Sequence, residues 1–218
     1  MLNDRLYELS QKPNPPFIGA GGGEGRLVRT VEVFSLGAAV PDSGIARGFE
    51  TVLTEVERVD RHGFTAAELD RGERDLLRGL EQAYAERDKA ESGSFVEEYV
   101  QHFLTGEPSP GIAYEFDLAQ RLMPGVSLKE VDRLARGWLG LRDRVLLVNA
   151  PEKPGVTMPS GADLLALFDR VKRSDVAAYQ EVVSDAPLVA ADLPEAAIVE
   201  EARDLASGVT SWTLANGV

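Results

Sequence analysis

The chain has 218 residues, 36 acidic against 23 basic, with a net charge of -13 and no cysteine. That negative field repels phosphate backbones and sets nucleic acid aside as a partner, while the missing thiols exclude disulfides and thiolate metal sites. Hydrophobic residues make up 44% and aromatics 7%, the balance of a globular chain with an aliphatic core; no apolar run approaches membrane-spanning length, and two histidines leave little room for histidine chemistry.

Met1 to Leu9 places apolar groups at 2, 6 and 9, a helical face that Lys12-Pro13 ends. The glycine-rich run Gly19 to Gly25 lacks the following helix and Lys-Ser/Thr pair of a phosphate-cradling loop. It reads as a flexible or bulged connection into a strand over Arg26 to Val40, where β-branched residues alternate. Pro41-Asp42-Ser43 then starts a helix with the face Ile45, Phe49, Val52, Leu53, Val56 and Val59.

The stretch Gly63-Phe64-Thr65-Ala66-Ala67-Glu68-Leu69 organises what surrounds it. Gly63 supplies a left-handed residue to end one helix, with Arg61 and His62 near its negative end. Thr65 and Glu68 stand at capping-box spacing to start the next, and Phe64 and Leu69 flank the box as a hydrophobic staple. The two helices are expected to pack side by side, the second through Leu69, Leu76, Leu77, Leu80 and Tyr84.

A further helix opens at Ser94 with Glu97 at capping-box spacing, and its periodicity predicts burial of Phe95, Tyr99 and Phe103. A shorter helix covers Tyr114 to Leu122, and Ser127 with Glu130 repeats the box ahead of Val131, Leu134, Ala135 and Trp138. Arg144 to Ala150 is nearly all apolar, as in a strand covered on both faces. A helix follows around Ala162 to Val171. Ser184 to Ser207 reads as an extended connector, and Val209 to Leu214 as a strand running into Asn216-Gly217, a hairpin turn signal with no returning strand. Both ends are expected to be cuts in a longer protein.

The chemistry-bearing residues form no catalytic constellation. Glu98 and His102 lie four apart on one helix, but zinc needs a third ligand. His62 fits a helix-end role. Ser92-Gly93-Ser94 lacks the nucleophile-elbow pattern, and Glu97-Glu98 point to different sides of a helix.

Taken in order, these elements resemble the insulinase/pitrilysin family of zinc metallopeptidases, specifically its non-catalytic second module. The resemblance is carried by Leu2-Asn3-Asp4-Arg5-Leu6-Tyr7-Glu8-Leu9, by the strand Arg26 to Val40, by the junction Gly63 to Leu69, and by Val209 to Val218, similar to the opening strand of that family's second half. It implies an α+β fold, a mostly antiparallel sheet layered with α-helices. Residues 1–173 would be the structural module, 174–208 a connector with a short helix, and 209–218 the truncated opening strand of the next module.

The family's zinc motif, His-x-x-Glu-His, is absent. The resemblance therefore implies a catalytically silent wall of a substrate chamber, with no catalytic, cofactor-binding or metal residue of its own. Zinc is expected in the parent's catalytic module. The implied partners are that module, the parent's second half and the parent's peptide substrate, with no nucleic acid or membrane; a periplasmic or a cytoplasmic setting both fit. The alternative is a partner subunit or binding module from a family member that lacks the zinc site.

Overall fold

Helix α1 (Leu2–Ser10) presents Leu2, Arg5, Leu6 and Leu9 on one stripe, the spacing that aligns side chains along a helix. In the computed structural model, which describes residues 1–28, 30–139, 144–156, 158–181, 189 and 196–217, Leu6 is fully buried with Phe17 and Val52. Leu2, Leu9, Ala20, Leu36 and Val40 pack around that cluster. The chain divides into two units, Met1–Tyr179 and Gln180–Val218. It is an α+β protein whose described ladders are antiparallel hairpins.

In the first unit, β1 (Gly19–Val28) pairs with β2 (Val31–Ala39) in antiparallel register, Gly19 opposite Ala39 and Gly25 opposite Val33. The glycine-rich run is thus a strand, where the sequence pattern suggested a connection. Close approach explains part of its composition: a Cβ on Gly22 would lie 2.1 Å from the Ser35 carbonyl oxygen. At Gly22 the outer edge of β1 is met by the Asn3 side-chain amide, which donates to the carbonyl at 2.9 Å and accepts from the N–H at 2.9 Å.

Helix α2 (Ile45–His62) buries Val52, Leu53 and Val59 on its expected face and packs on α6 (Leu128–Trp138) and α7 (Gly161–Arg173). Leu164, Leu167 and Val171 of α7 are buried, and Phe49 meets Phe168 edge-on at 5.9 Å. Helix α3 (Ala66–Ala85) packs on α5 (Ile112–Leu122), with Tyr84 stacked on Phe116 at 5.6 Å. The side-by-side packing expected of α2 and α3 is therefore replaced by separate partners.

The junction explains that divergence. Thr65 accepts from the Glu68 N–H at 3.1 Å and Glu68 accepts from the Thr65 N–H at 2.7 Å, a complete capping box. Gly63 ends α2 at φ 70°, ψ -156°, which turns the chain away from the α2 axis. Asp132 of α6 fills the space a side chain at Gly63 would need, since a Cβ there would sit 2.3 Å from its carboxylate, and it accepts the Phe64 N–H at 2.9 Å. Ser127 with Glu130 and Ser160 with Asp163 repeat the box at α6 and α7. In both, hydrogen bonds from the cap residue hold the carboxyl below its ordinary range.

Beneath the junction, Arg5 and Glu68 are each 2% exposed. The guanidinium grips the carboxylate with both forks, Nε to Oε1 at 2.6 Å and Nη2 to Oε2 at 2.8 Å, and Nη2 also donates to the Gly63 carbonyl at 3.1 Å. Burial alone pushes the Glu68 carboxyl up; the bonds from Arg5 and Thr65 outweigh it and hold the group below the usual glutamate range.

Helix α4 (Ser92–Thr105) departs from expectation twice. It starts at Ser92 with no capping box, the Ser94 hydroxyl donating back to the Glu91 carbonyl, and Phe95, Tyr99 and Phe103 are all exposed. Among the described residues no element packs extensively against α4. Residues 144–150 likewise form no strand: they run without a ladder partner, and Val145 is 94% exposed.

The second unit corrects the reading of the tail. Strand β3 (Ile198–Arg203) pairs antiparallel with β4 (Thr210–Leu214), Arg203 opposite Thr210 and Ile198 opposite Leu214. The strand over 209–214 thus has a partner, drawn from the stretch expected to be connector, and no helix is assigned between 174 and 208 among the described residues. Asp204 shapes the turn: its carboxylate accepts from the Ser207 hydroxyl and the Ala206 N–H, bonds that lower its pKa. The remainder of the expected connector, 184–188 and 190–195, lies outside the described residues.

Two outcomes follow for stability. Leu6→Ala should cost about 2–5 kcal/mol in urea unfolding, and Leu77→Ala, at a half-buried position, should cost less. Equal midpoints for the two variants would contradict the placement of the core. Glu68 titrates lower folded than unfolded, so its contribution is full above the unfolded value of about 4.3 and is lost as pH falls through the folded value. Glu68→Gln should cost about 3–5 kcal/mol near neutral pH by stranding Arg5, and should flatten the acid limb of a urea-midpoint-against-pH curve. An unchanged acid limb would remove Glu68 from the acid response.

Candidate functional site

His62, His102, Glu98 and Ser94, four of the chemistry-bearing residues picked out from the sequence, each contact the scaffold. His62 Nε2 lies 2.7 Å from the Val176 carbonyl oxygen, and His102 Nδ1 lies 2.6 Å from the Glu107 carbonyl oxygen. Glu98 accepts the Ser109 hydroxyl at 2.5 Å, so Glu98 and His102, four apart on α4, both serve to hold the loop after that helix. Ser94 is turned to the backbone of its own helix. Among the described residues no group of three His, Asp or Glu side chains could hold a metal ion.

Two open clefts mark the surface of the first unit. One, of about 340 Å³, is lined by Arg26, Thr30 and Glu32 of the β1–β2 turn region and by Leu104 and Thr105 at the end of α4. The other, of about 670 Å³, surrounds the start of α6 and is lined by Gly125, Ser127, Lys129, Glu130, Arg133 and Arg136. It gathers cationic side chains, but Ser127 and Glu130 bind each other and Arg136 donates to the Asp60 carbonyl at 2.9 Å. In the second cleft the Ser127 hydroxyl donates to the Glu130 carboxylate at 2.6 Å, a contact that belongs to the capping box of α6.

The surface feature that stands out is apolar. Phe95, Val96, Tyr99, Val100, Phe103 and Leu104 cover half the circumference of α4 at 100° per residue, all exposed, with Phe103 at 86%. Val145, Leu146 and Leu147 expose a second apolar run. Faces of this size and continuity are of the kind buried against another protein surface. The sequence signal was present as amphipathic periodicity; what periodicity does not specify is which surface covers the face.

No helix is long and apolar enough to cross a membrane among the described residues. No family model matches the chain. A zinc protease PQQL-like protein of Arabidopsis thaliana is 27% identical over 224 residues, covering 100% of this chain and 20% of that protein. The periplasmic protease PqqL of Escherichia coli superimposes with a TM-score of 0.69 at 21% identity, over 100% of this chain and 24% of that one. An insulinase family protease predicted from Yersinia pestis gives 0.66 at 16% identity, over 78% and 36%. The chain thus spans about a fifth of the length of the curated relative it matches. Along its whole length it is similar to one part of a zinc-protease-like protein, and its α+β fold is that of insulinase-family proteases.

Proposed function

We propose that this chain is a catalytically silent structural module of a zinc-dependent endopeptidase, one that walls a substrate chamber and packs against the module bearing the metal. The observation that carries the proposal is the match of the entire chain to a limited part of much longer zinc-protease-like proteins. The chemistry of the chain supports it: both histidines hold backbone carbonyls, and the protease motif His-x-x-Glu-His does not occur in the sequence. The exposed apolar sides of α4 and of Val145 to Leu147 fit a piece whose partners are further protein surfaces. In such an enzyme the metal module would supply the hydrolytic step, and this module would exclude water and shape the space for a peptide.

The purified chain should carry no stoichiometric zinc and cleave no peptide. Elemental analysis after dialysis against zinc, with a quenched fluorescent peptide as substrate, makes the check. Near one zinc per chain, lost together with peptidase activity in His102→Ala, would overturn the proposal.

A further inference from the structure

Residues 174–179, between the end of α7 and the end of the first unit, carry no regular secondary structure, yet several α2 side chains hold them. Arg61 donates to the Lys172 carbonyl at 2.6 Å and to the Ser174 carbonyl at 2.7 Å, closing the free carbonyls at the end of α7. Arg58 donates to the Ala177 carbonyl, and His62 meets that of Val176. Only two side chains of the segment reach inward. Val176 is buried, and Tyr179 lays its ring over Arg5, 4.3 Å from the guanidinium carbon, while its hydroxyl donates to the Glu8 carboxylate at 2.8 Å.

We propose that residues 174–179 are a latch, closed by Tyr179 over Arg5, which peels from α2 as a unit without unfolding the rest of Met1–Tyr179. Three features argue for separate opening. The grip is on backbone carbonyls at the surface, where water replaces each acceptor, so the bonds are individually weak. The Arg5–Glu68 pair and the Leu6 cluster keep their own partners when the segment leaves. Arg5 Nη1 is buried with no hydrogen-bond acceptor among the described residues and its guanidinium lies over the Phe64 and Tyr179 rings, so opening exposes a donor that gains water.

The absence of cysteine makes a direct test available in the full chain. Val176→Cys places one thiol on the buried side of the latch and Val59→Cys places one in the fully buried face of α2. Under native conditions a thiol reagent should modify the first at least about tenfold faster than the second. Adding Tyr179→Ala should raise the Val176→Cys rate about tenfold further and leave the Val59→Cys rate unmoved, with Tyr179→Phe, which keeps the ring, giving a smaller rise. Equal rates at the two positions, or equal acceleration of both by Tyr179→Ala, would show that the segment opens only with the whole unit and overturn the latch. A Tyr179→Phe rise as large as that of Tyr179→Ala would overturn the role of the ring.

Discussion

Arg5 is held out of water near the centre of the first unit, and the segments around it are placed by the need to satisfy its charge. A buried guanidinium requires a carboxylate with matching geometry, and Glu68 supplies both oxygens. The same carboxylate closes the capping box on the Thr65 N–H, so the register of α3 and the position of α1 are set by one group. Gly63 adds its carbonyl, and Phe64 and Tyr179 add their rings. An apolar substitute for the pair could match its stability. It could not impose the same bidentate alignment between segments 63 residues apart, and that alignment is the contribution we assign to the pair.

Local features of the chain were legible at most places where a short-range rule governs them. The boxes at Thr65–Glu68 and Ser127–Glu130 form as their spacing predicts, the one at Ser94–Glu97 does not, and the α2 face is buried at Val52, Leu53 and Val59. Arg5 was also within reach of a sequence argument, since positions 2, 5, 6 and 9 form one helical stripe and a charge inside it demands a buried partner. Features that depend on distant partners were not legible. Glycines over 19–25 look like a loop until β2 lies against them, and Ile198 to Arg203 has no strong period because neither of its faces is buried. The helix α4 shows the limit most plainly: its pattern states what the helix is able to bury, and says nothing of what is there to bury it against.

The two histidines lie on different helices and each meets a backbone carbonyl, contacts that depend on distant or loop partners and are not written in their spacing. The exposed apolar residues could not be separated from core residues before the fold was known, because a face made to meet another module and a face made to meet its own core share one chemistry. Only the fold separates exposed from sealed: the apolar residues of α4 and Val145 to Leu147 are exposed, while Leu6, Phe17 and Val59 are buried.

Helix α1 shows how few residues can tie such a unit together. Successive side chains on a helix are 100° apart, so Asn3, Arg5 and Leu6 fan across one side of α1 and reach three different neighbours. Asn3 bonds both backbone groups of Gly22, standing where a neighbouring strand would pair; Arg5 enters the α2–α3 junction; Leu6 enters the core with Phe17 and Val52. Hairpin, junction and core are thereby referred to a single rigid turn of helix. A shift of α1 by one residue would move the Asn3 amide off the β1 edge and the Arg5 fork off Glu68 together, so the two polar contacts hold one register and each makes slippage of the other costly.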